Sequence, residues 1–133
     1  MLLIGADPRN QIPMGPNVFV AEYAPYSELF PRAAAVVHSG GMGTIGQTLR
    51  AGVPMIVVPH AADQPDNALR AARLGVARVI PRGGYSADRV VKGLRTLLST
   101  SSYTARAQAI GREVRAEDGL TRTCEALEKH ARG

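Results

Sequence analysis

The sequence predicts an α/β domain in which helices flank a parallel β-sheet. Two observations support this fold class. Short runs rich in Val and Ile alternate with longer stretches of helical spacing, which is the order that α/β proteins show. The run at 54–59 is apolar throughout, as is typical of a parallel strand that helices cover on both faces. The 133 residues are enough for one such domain.

The first half of the chain predicts four strands and one helix. Strands are expected at Leu2–Ile4, Val18–Tyr23, Ala33–His38 and Pro54–Pro59, with a loop at Asp7–Asn17. The third of these strands is expected to be buried. Thr44–Ala51 has helical spacing, and Gly52 directly after it is the residue type that most often closes a helix.

The second half is mainly helical. A helix is expected at Asp66–Leu74, ended by Gly75, and a short strand at Ala77–Ile80. Three apolar stripes at helical spacing then predict three amphipathic helices. The stripes comprise Val90, Val91, Leu94, Leu97 and Leu98; Tyr103, Ala107, Ile110 and Val114; and Leu120, Cys124 and Leu127. Ser86 and Ser102 are expected to cap the first two helices, and Cys124 is interpreted as a small core residue.

The composition is that of a soluble globular protein, with 45% hydrophobic and 20% charged residues. Its apolar runs are far shorter than the ~20 residues that span a bilayer, and no secretory signal is visible. The single cysteine cannot form an intrachain disulfide, which fits a reducing compartment. We therefore expect a cytoplasmic protein without a transmembrane segment.

The net charge of +5 raises the question of nucleic-acid binding. Residues 1–69 carry three basic and five acidic residues, whereas residues 70–133 carry thirteen basic and six acidic ones. The basic excess therefore lies on helical segments with few aromatic residues, and a solvated helical face explains it. Nucleic acid is not an expected partner, although non-specific attraction to phosphate stays open.

A glycine-rich loop between a strand and a helix carries the strongest functional signal. It runs from His38 through Gly40, Gly41 and Gly43 to Thr44. Glycines let the backbone approach a ligand closely, and a helix N-terminus offers free N–H groups and positive potential to a phosphate. The loop is therefore interpreted as a phosphate-binding site at the carboxyl edge of the sheet. The alternative is a turn whose glycines serve packing alone, with His38 in the core.

The same loop also matches a dinucleotide-binding fingerprint. Gly41, Gly43 and Gly46 fit G-x-G-x-x-G, and Asp63 lies 20 residues beyond Gly43, where a ribose-binding acid is sought. Two predicted strands precede the strand that leads into this loop, however, whereas the fingerprint follows the first strand of its domain. An NAD-binding domain is therefore the weaker alternative.

Asp63 and Gln64 follow the next predicted strand. Their side chains suit neighbouring sugar hydroxyls, because they combine acceptors with an amide donor. Asp63 would alternatively cap the following helix. A metal site formed by His38, His60 and Asp63 is not expected, since their spacing matches no zinc motif.

Together these residues resemble the donor-binding half of inverting, nucleotide-sugar-dependent glycosyltransferases with the GT-B fold, the UDP-glucuronosyl/UDP-glucosyltransferase family. The family signature appears here as Tyr23-Ala24-Pro25-Tyr26, His38 to Thr44, Gln47, Gly52-Val53-Pro54 and Asp63-Gln64. Its order, spacing and strand–loop–helix context agree over residues 23–67, and the segments at 74–78 and 116–119 agree as well. The sequence of residues 43–54 is most similar to that of the bacterial and sterol-type branch of the family.

The resemblance implies a nucleoside site with three departures from the family pattern. Tyr23 would stack on the base, the backbone of Ala24 would read its edge, and Gln47 would reach the ribose. Tyr23 stands where Trp is more usual and Tyr26 replaces a frequent Gln, while Gln47 replaces a Glu of many members.

The resemblance also implies how the rest of the donor is held. The diphosphate would be bound by His38, Gly41, Gly43 and Thr44. Asp63 and Gln64 would hold the sugar hydroxyls. No metal or other cofactor is expected, because the nucleotide sugar is itself a co-substrate.

The implied fold is a Rossmann-like domain, the C-terminal half of an enzyme that moves a hexose from a UDP- or dTDP-sugar to a hydroxyl of a small acceptor with inversion. Residues 1–133 would form only part of the donor domain, since its first strand and the whole N-terminal acceptor domain have no counterpart here. No catalytic residue is expected in this chain, which alone would be inactive. A non-catalytic nucleotide-binding module and an NAD-binding fragment are the alternatives. Exposed apolar edges also predict self-association.

Overall fold

The computed structural model describes residues 1–6 and 15–132, so most of the predicted loop at Asp7–Asn17 lies outside the described residues. The strands there are β1 Leu2–Leu3, β2 Val20–Ala21, β3 Val36–His38, β4 Met55–Val57 and β5 Ala77–Val79. The α-helices are α1 Tyr26–Leu29, α2 Met42–Ala51, α3 Gln64–Arg73, α4 Ala87–Ser99, α5 Ser101–Ala116 and α6 Gly119–Arg132. Two short 3-10 turns lie at Phe30–Arg32 and Arg82–Gly84.

The described strands form two parallel sheets. β1 pairs with β2, with Leu2 opposite Val20. In the other sheet β4 lies between β3 and β5, so that Ile56 is opposite Val37 on one side and Arg78 on the other. The predicted α/β class with parallel strands is therefore confirmed. Because the strands are parallel, the loops that follow β3 and β4 lie at the same edge of their sheet.

The hydrophobic core is built around β4, whose three residues are fully buried. Successive side chains of a strand point to opposite faces of the sheet. Met55 and Val57 accordingly pack with residues of α2, α3 and α5, whereas Ile56 packs in a second cluster with Leu97 of α4. The continuous apolar run is thus explained by helices on both sides of this strand.

Glycines let α2 and α5 approach each other closely. A Cβ atom on Gly111 would lie only 2.8 Å from the Cα of Gly52 and 3.0 Å from the carbonyl oxygen of Leu49. Gly52 ends α2 with a φ of 72°, and its N–H donates to the carbonyls of Leu49 and Thr48. The predicted helix end at Gly52 is therefore confirmed, and so is the buried stripe of α5, which includes Ala107 and Ile110.

The prediction of a buried third strand was wrong. β3 is confined to Val36–His38 and is partly exposed, with Val37 at 41%. The reason is its position, because β3 is an edge strand of its sheet among the described residues. The following helix also starts earlier than expected, at Met42 rather than Thr44.

The predicted stripe of α4 is wider than the face that the helix buries. Leu97 is fully buried, but Val91 is 44% and Leu98 is 52% exposed. Ser86 caps this helix as predicted, since its hydroxyl accepts the backbone N–H of Arg89. The predicted cap at Ser102 was wrong, because α5 already begins at Ser101 and Ser102 lies inside its first turn.

The interpretation of Cys124 as a core residue was wrong as well. α6 has no buried residue, and Cys124, Leu120 and Leu127 are all exposed. The amphipathic pattern correctly predicted a helix, but no described element packs on its apolar face. None of the described helices combines the length and the apolarity needed to cross a bilayer.

Candidate functional site

A cavity of about 550 Å³ lies between the carboxyl ends of β1 and β2 and the side of α2. Three residues that the resemblance assigns to a nucleoside, Tyr23, Ala24 and Gln47, line it together. The remaining lining residues are Leu3, Gly5, Glu22, Pro25, Tyr26 and Ser27. Residues far apart in the sequence therefore converge on one pocket, and its size suits a small-molecule ligand.

The pocket offers an exposed aromatic surface. Tyr23 is 80% exposed, so its ring is accessible to a planar ligand. The ring of Tyr26 stacks on Phe30 instead, with a centroid distance of 4.4 Å and an interplanar angle of 14°. Tyr26 thus anchors α1 beside the pocket, while Tyr23 presents its ring outward.

The glycine-rich loop leads directly into the N-terminus of α2. Gly41 is the N-cap residue and gives the helix no side-chain cap, and the first helical bond runs from the N–H of Ile45 to the carbonyl of Gly41. In the described structure the N–H groups of Met42, Gly43 and Thr44 therefore have no partner within the helix. These groups and the helix dipole give the loop a positive potential that suits a phosphate.

The packing of the chain requires glycine at one position of the loop but not at two others. Gly40 has a φ of 95°, and a Cβ atom on it would lie 2.7 Å from Cγ1 of Val57, so the fold itself requires glycine there. Gly41 and Gly43 have no neighbouring atom within 4 Å of an added Cβ. Chain packing therefore does not explain these two glycines, and a Cβ on either would project into open space.

His38 is committed to contacts inside the chain. Its Nδ1 accepts the backbone N–H of Gly40 at 3.0 Å, so the proton is on Nε2, which lies 3.4 Å from the sulfur of Met55. Burial lowers the pKa of His38 from 6.5 to about 4, so the ring is neutral near pH 7. The direct contact with a diphosphate that the resemblance implies stays a prediction.

The loop after β4 is held by the side chain of Gln64. Its Oε1 accepts the backbone N–H groups of His60 at 2.9 Å and of Ala61 at 3.3 Å. Ala62, which lies between Ala61 and Gln64, has a φ of 55°, a left-handed conformation that is unfavourable for a residue with a Cβ. Gln64 thereby stabilises a strained turn, and only its amide NH₂ group is left to face a ligand.

Asp63 does not cap α3 with its side chain, so that alternative is not borne out. Its Oδ2 instead accepts a hydrogen bond from Nδ2 of Asn67 at 2.6 Å. Asn67 is buried and was not predicted as a site residue. Its four-residue spacing from Asp63 on the same helix face is a sequence signal for their contact, but not for the bond to Gly40.

The three parts of the site are adjacent. Gln47 lies four residues beyond Gly43 on α2, which is about 6 Å along the helix axis, so the nucleoside pocket borders the free N–H groups. On the other side, a Cβ on Gly40 would lie 3.4 Å from the carbonyl oxygen of Gln64. The described residues contain no group of three His, Cys, Asp or Glu side chains arranged to hold a metal ion.

Comparison with protein families identifies relatives of this chain. Residues 4–129 match the family described as "Erythromycin biosynthesis protein CIII-like, C-terminal domain". The O-mycaminosyltylonolide 6-deoxyallosyltransferase of Streptomyces fradiae is 40% identical over 109 residues, which are 81% of this chain and 26% of that enzyme. The sterol 3-beta-glucosyltransferase of Aspergillus terreus is 34% identical over 122 residues, 92% of this chain and 9% of that enzyme.

Solved structures give the same result for the fold. The glycotransferase of kitacinnamycin superposes with a TM-score of 0.86 at 35% identity, covering 96% of this chain and 34% of that one. VinC, a glycosyltransferase crystallised in complex with dTDP, superposes with a TM-score of 0.83 at 35% identity. The match covers 91% of this chain and 31% of VinC. This chain thus spans about a third of each of these two structures, and 26% and 9% of the two curated relatives. The NAD-binding alternative is not favoured by these matches.

Proposed function

This chain belongs to the EryCIII-like C-terminal domain family of GT-B glycosyltransferases, and from that premise we propose that it binds the nucleotide-sugar donor of an inverting hexosyltransferase. The donor is a dTDP- or UDP-sugar, and the acceptor is a hydroxyl of a small molecule. One observation carries the proposal: the uncapped N–H groups at the start of α2 lie beside Gly41 and Gly43, where an added Cβ would meet no atom within 4 Å.

The nucleoside is proposed to occupy the pocket of Tyr23, Ala24 and Gln47. The exposed ring of Tyr23 offers a stacking surface for a pyrimidine, and the amide of Gln47 combines a donor and an acceptor for ribose hydroxyls. The dTDP bound by VinC supports a thymine or uracil nucleotide. The cavity of about 550 Å³ leaves room for base and ribose.

The diphosphate is proposed to sit at the N-terminus of α2. Backbone N–H groups of Met42, Gly43 and Thr44, the hydroxyl of Thr44 and the helix dipole would stabilise the negative charge that grows on the leaving diphosphate as the glycosidic bond breaks. These are fixed dipoles, which need no reorganisation during the reaction. We propose that no metal ion is required for this step. The ring of His38 is neutral, since burial depresses its pKa, and its Nε2–H would have to leave the sulfur of Met55 to donate to the diphosphate.

The sugar is proposed to bind at the loop after β4. Asp63 has its Oδ2 engaged by Asn67, which leaves Oδ1 for a sugar hydroxyl. Gln64 has its carbonyl oxygen engaged by the loop backbone, which leaves the amide NH₂ as a donor. One acceptor and one donor side by side match vicinal hydroxyl groups.

The remainder of the enzyme is proposed to supply what this chain lacks. In the proposed parent, an N-terminal domain provides the acceptor pocket and the base that deprotonates the acceptor hydroxyl, and residues 1–133 alone do not turn over substrate. We place the parent in the cytoplasm, since the exposed thiol of Cys124 fits a reducing compartment.

Isothermal titration of the chain with dTDP, UDP, dTDP-glucose, UDP-glucose and NAD tests the proposal. We expect one of the nucleoside diphosphates to bind, and Thr44→Val to weaken that binding by about tenfold through loss of a hydroxyl contact. Thr96→Val is the matched control, because Thr96 lies on α4 with its hydroxyl bonded to Lys92. Binding of NAD without binding of dTDP or UDP would overturn the assignment.

A further inference from the structure

Asn67 is a buried polar residue that joins two loops of the site. It is only 5% exposed, although it lies in the first turn of a surface helix. Its Nδ2 donates to the carbonyl of Gly40 at 3.1 Å and to Oδ2 of Asp63 at 2.6 Å. Gly40 belongs to the glycine-rich loop after β3, and Asp63 belongs to the loop after β4, so one amide group bridges both.

Both donor hydrogens of the Asn67 amide are used by these bonds. A buried amide is unfavourable unless its donors are satisfied, so the two acceptors fix its orientation and it fixes theirs. No other residue type of this size offers two hydrogens on one atom without a charge. The bridge therefore depends on asparagine in particular, rather than on any polar side chain.

The bridge determines the orientation of Gly40. The N–H of Gly40 is held by Nδ1 of His38, and its carbonyl is held by Asn67. The next residue, Gly41, is the N-cap of α2. Asn67 thus acts on the start of α2 through the backbone of Gly40, without facing the open space above the helix.

The same amide determines the orientation of the Asp63 carboxylate. Asp63 is exposed, and the bond from Asn67 is the side-chain hydrogen bond that restrains it in the described structure. A restrained carboxylate presents Oδ1 in one direction, whereas a free one samples its rotamers and loses binding free energy when a ligand orders it.

We propose that Asn67 is a positioning residue that sets the carboxylate of Asp63 relative to the start of α2, and thereby fixes how a nucleotide sugar lies across the two loops. This inference rests on the proposed function, since it concerns the same donor site. Asn67 touches no part of the donor; it acts through Gly40 and Asp63.

A double-mutant cycle tests the positioning role. The affinity of the nucleotide sugar that the wild-type chain binds is measured for Asp63→Ala, Asn67→Leu and the double variant. We expect each single change to weaken binding about tenfold, and the double variant to be at most about threefold weaker than either, because Asp63 without Asn67 is already misplaced. A hundredfold loss in the double variant, the product of the single effects, would overturn the proposal.

A second cycle and a second variant separate positioning from a general loss of stability. In the double variant of Tyr23→Ala and Asn67→Leu, the two losses of affinity are expected to multiply, because Tyr23 lies in the nucleoside pocket and not beside Asp63. Asn67→Ser replaces Asn67→Leu if the latter does not fold. If the proposed function is wrong, the wild-type chain already fails to bind in the titration. If only the positioning role is wrong, the wild type binds, but the losses of affinity caused by the changes at 63 and 67 multiply in the double variant.

Discussion

The Nδ1 atom of His38 accepts a hydrogen bond from the backbone N–H of Gly40 at 3.0 Å. A ring nitrogen that accepts a bond carries no proton, so this contact and the buried position both favour the neutral imidazole. Protonation would remove the acceptor and put a charge in a poorly solvated place. The histidine that ends β3 therefore stabilises the turn before α2 only in its neutral form.

Stability should consequently fall on acidification. The pKa of His38 is about 4 in the folded chain against 6.5 for the free side chain, so the unfolded chain binds more protons between these values. The free energy of unfolding is then largest above the unfolded pKa and decreases as pH falls toward the folded one, by at most about 1.4 kcal/mol per pH unit. Urea unfolding at about pH 7 and about pH 4.5 measures this.

The matched control for that experiment is His38→Asn. The Oδ1 atom of asparagine can accept the N–H of Gly40 in place of Nδ1, but it does not titrate in this range. Since all other ionisable groups are common to both proteins, the difference between their pH profiles isolates His38. Equal losses of stability in wild type and variant would contradict the prediction.

Alanine substitution should separate the two kinds of glycine in the loop. Gly40→Ala introduces a Cβ at 2.7 Å from Val57 on a backbone with a φ of 95°, and we expect a loss of about 2–4 kcal/mol of folding free energy. Gly41→Ala meets no atom within 4 Å, so it should cost at most about 1 kcal/mol, the preference for glycine over alanine at an N-cap. Nucleotide affinity should nevertheless fall about tenfold in Gly41→Ala, because the added Cβ would lie in the proposed diphosphate-binding site.

Chemical denaturation and calorimetric titration of both variants check this pair. A stable Gly40→Ala protein would mean that the turn can relax around the methyl group. Unchanged nucleotide binding by Gly41→Ala would contradict the position proposed for the diphosphate.

The sequence was informative at positions where only one structural role explains the residue type. Gly52 at the end of α2 was predictable because few residues accept a positive φ there, and β4 was predictable because its apolar run has no polar face. The motif from Tyr23 to Gln64 supplied most of the site. Asn67 was missed because an isolated asparagine in a helix is usually exposed, and only the fold shows its bridge between two loops.

The errors have a common cause. Periodicity shows which side of an element is apolar, but it does not show whether another element covers that side. The stripe of α6 and the run of β3 therefore looked like core, although Cys124 and Val37 are exposed in the described structure. The division of the strands into two sheets was likewise not predictable, because pairing partners are set by contacts distant in sequence.

Tyr23 should contribute to binding but not to stability. The residue is 80% exposed, so Tyr23→Ala should change the free energy of unfolding by less than about 0.5 kcal/mol. Loss of a base-stacking ring should weaken nucleoside diphosphate binding by about tenfold or more, whereas Tyr23→Trp should bind at least as tightly as wild type. Tyr85→Ala, at a ring that is 59% exposed outside the pocket, is the control for calorimetry. Equal affinities of Tyr23→Ala and Tyr85→Ala would contradict stacking.

Gly111 should be essential for the packing of α5 on α2. A methyl group at this position would meet the Cα of Gly52 at 2.8 Å, and backbone cannot move aside as a side chain can. We expect Gly111→Ala to lower the free energy of unfolding by about 2–4 kcal/mol. Gly46→Ala is the matched control within α2, since it meets no atom within 4 Å and should stabilise the helix by up to about 1 kcal/mol. Similar unfolding midpoints for both variants would show that the two helices are not in close contact.

The isolated chain should self-associate through the apolar face of α6. Leu120 and Leu127 are 78% and 65% exposed on one side of a helix with no buried residue, and water excluded between two such faces favours association. Light scattering should therefore give an apparent mass that rises with concentration. The double change Leu120→Ser and Leu127→Ser should abolish the rise, whereas Leu69→Ser, an exposed leucine on α3, should not. A wild-type mass equal to that of the double variant at every concentration would contradict this, and would mean that the exposed stripe alone is too small to hold two copies together.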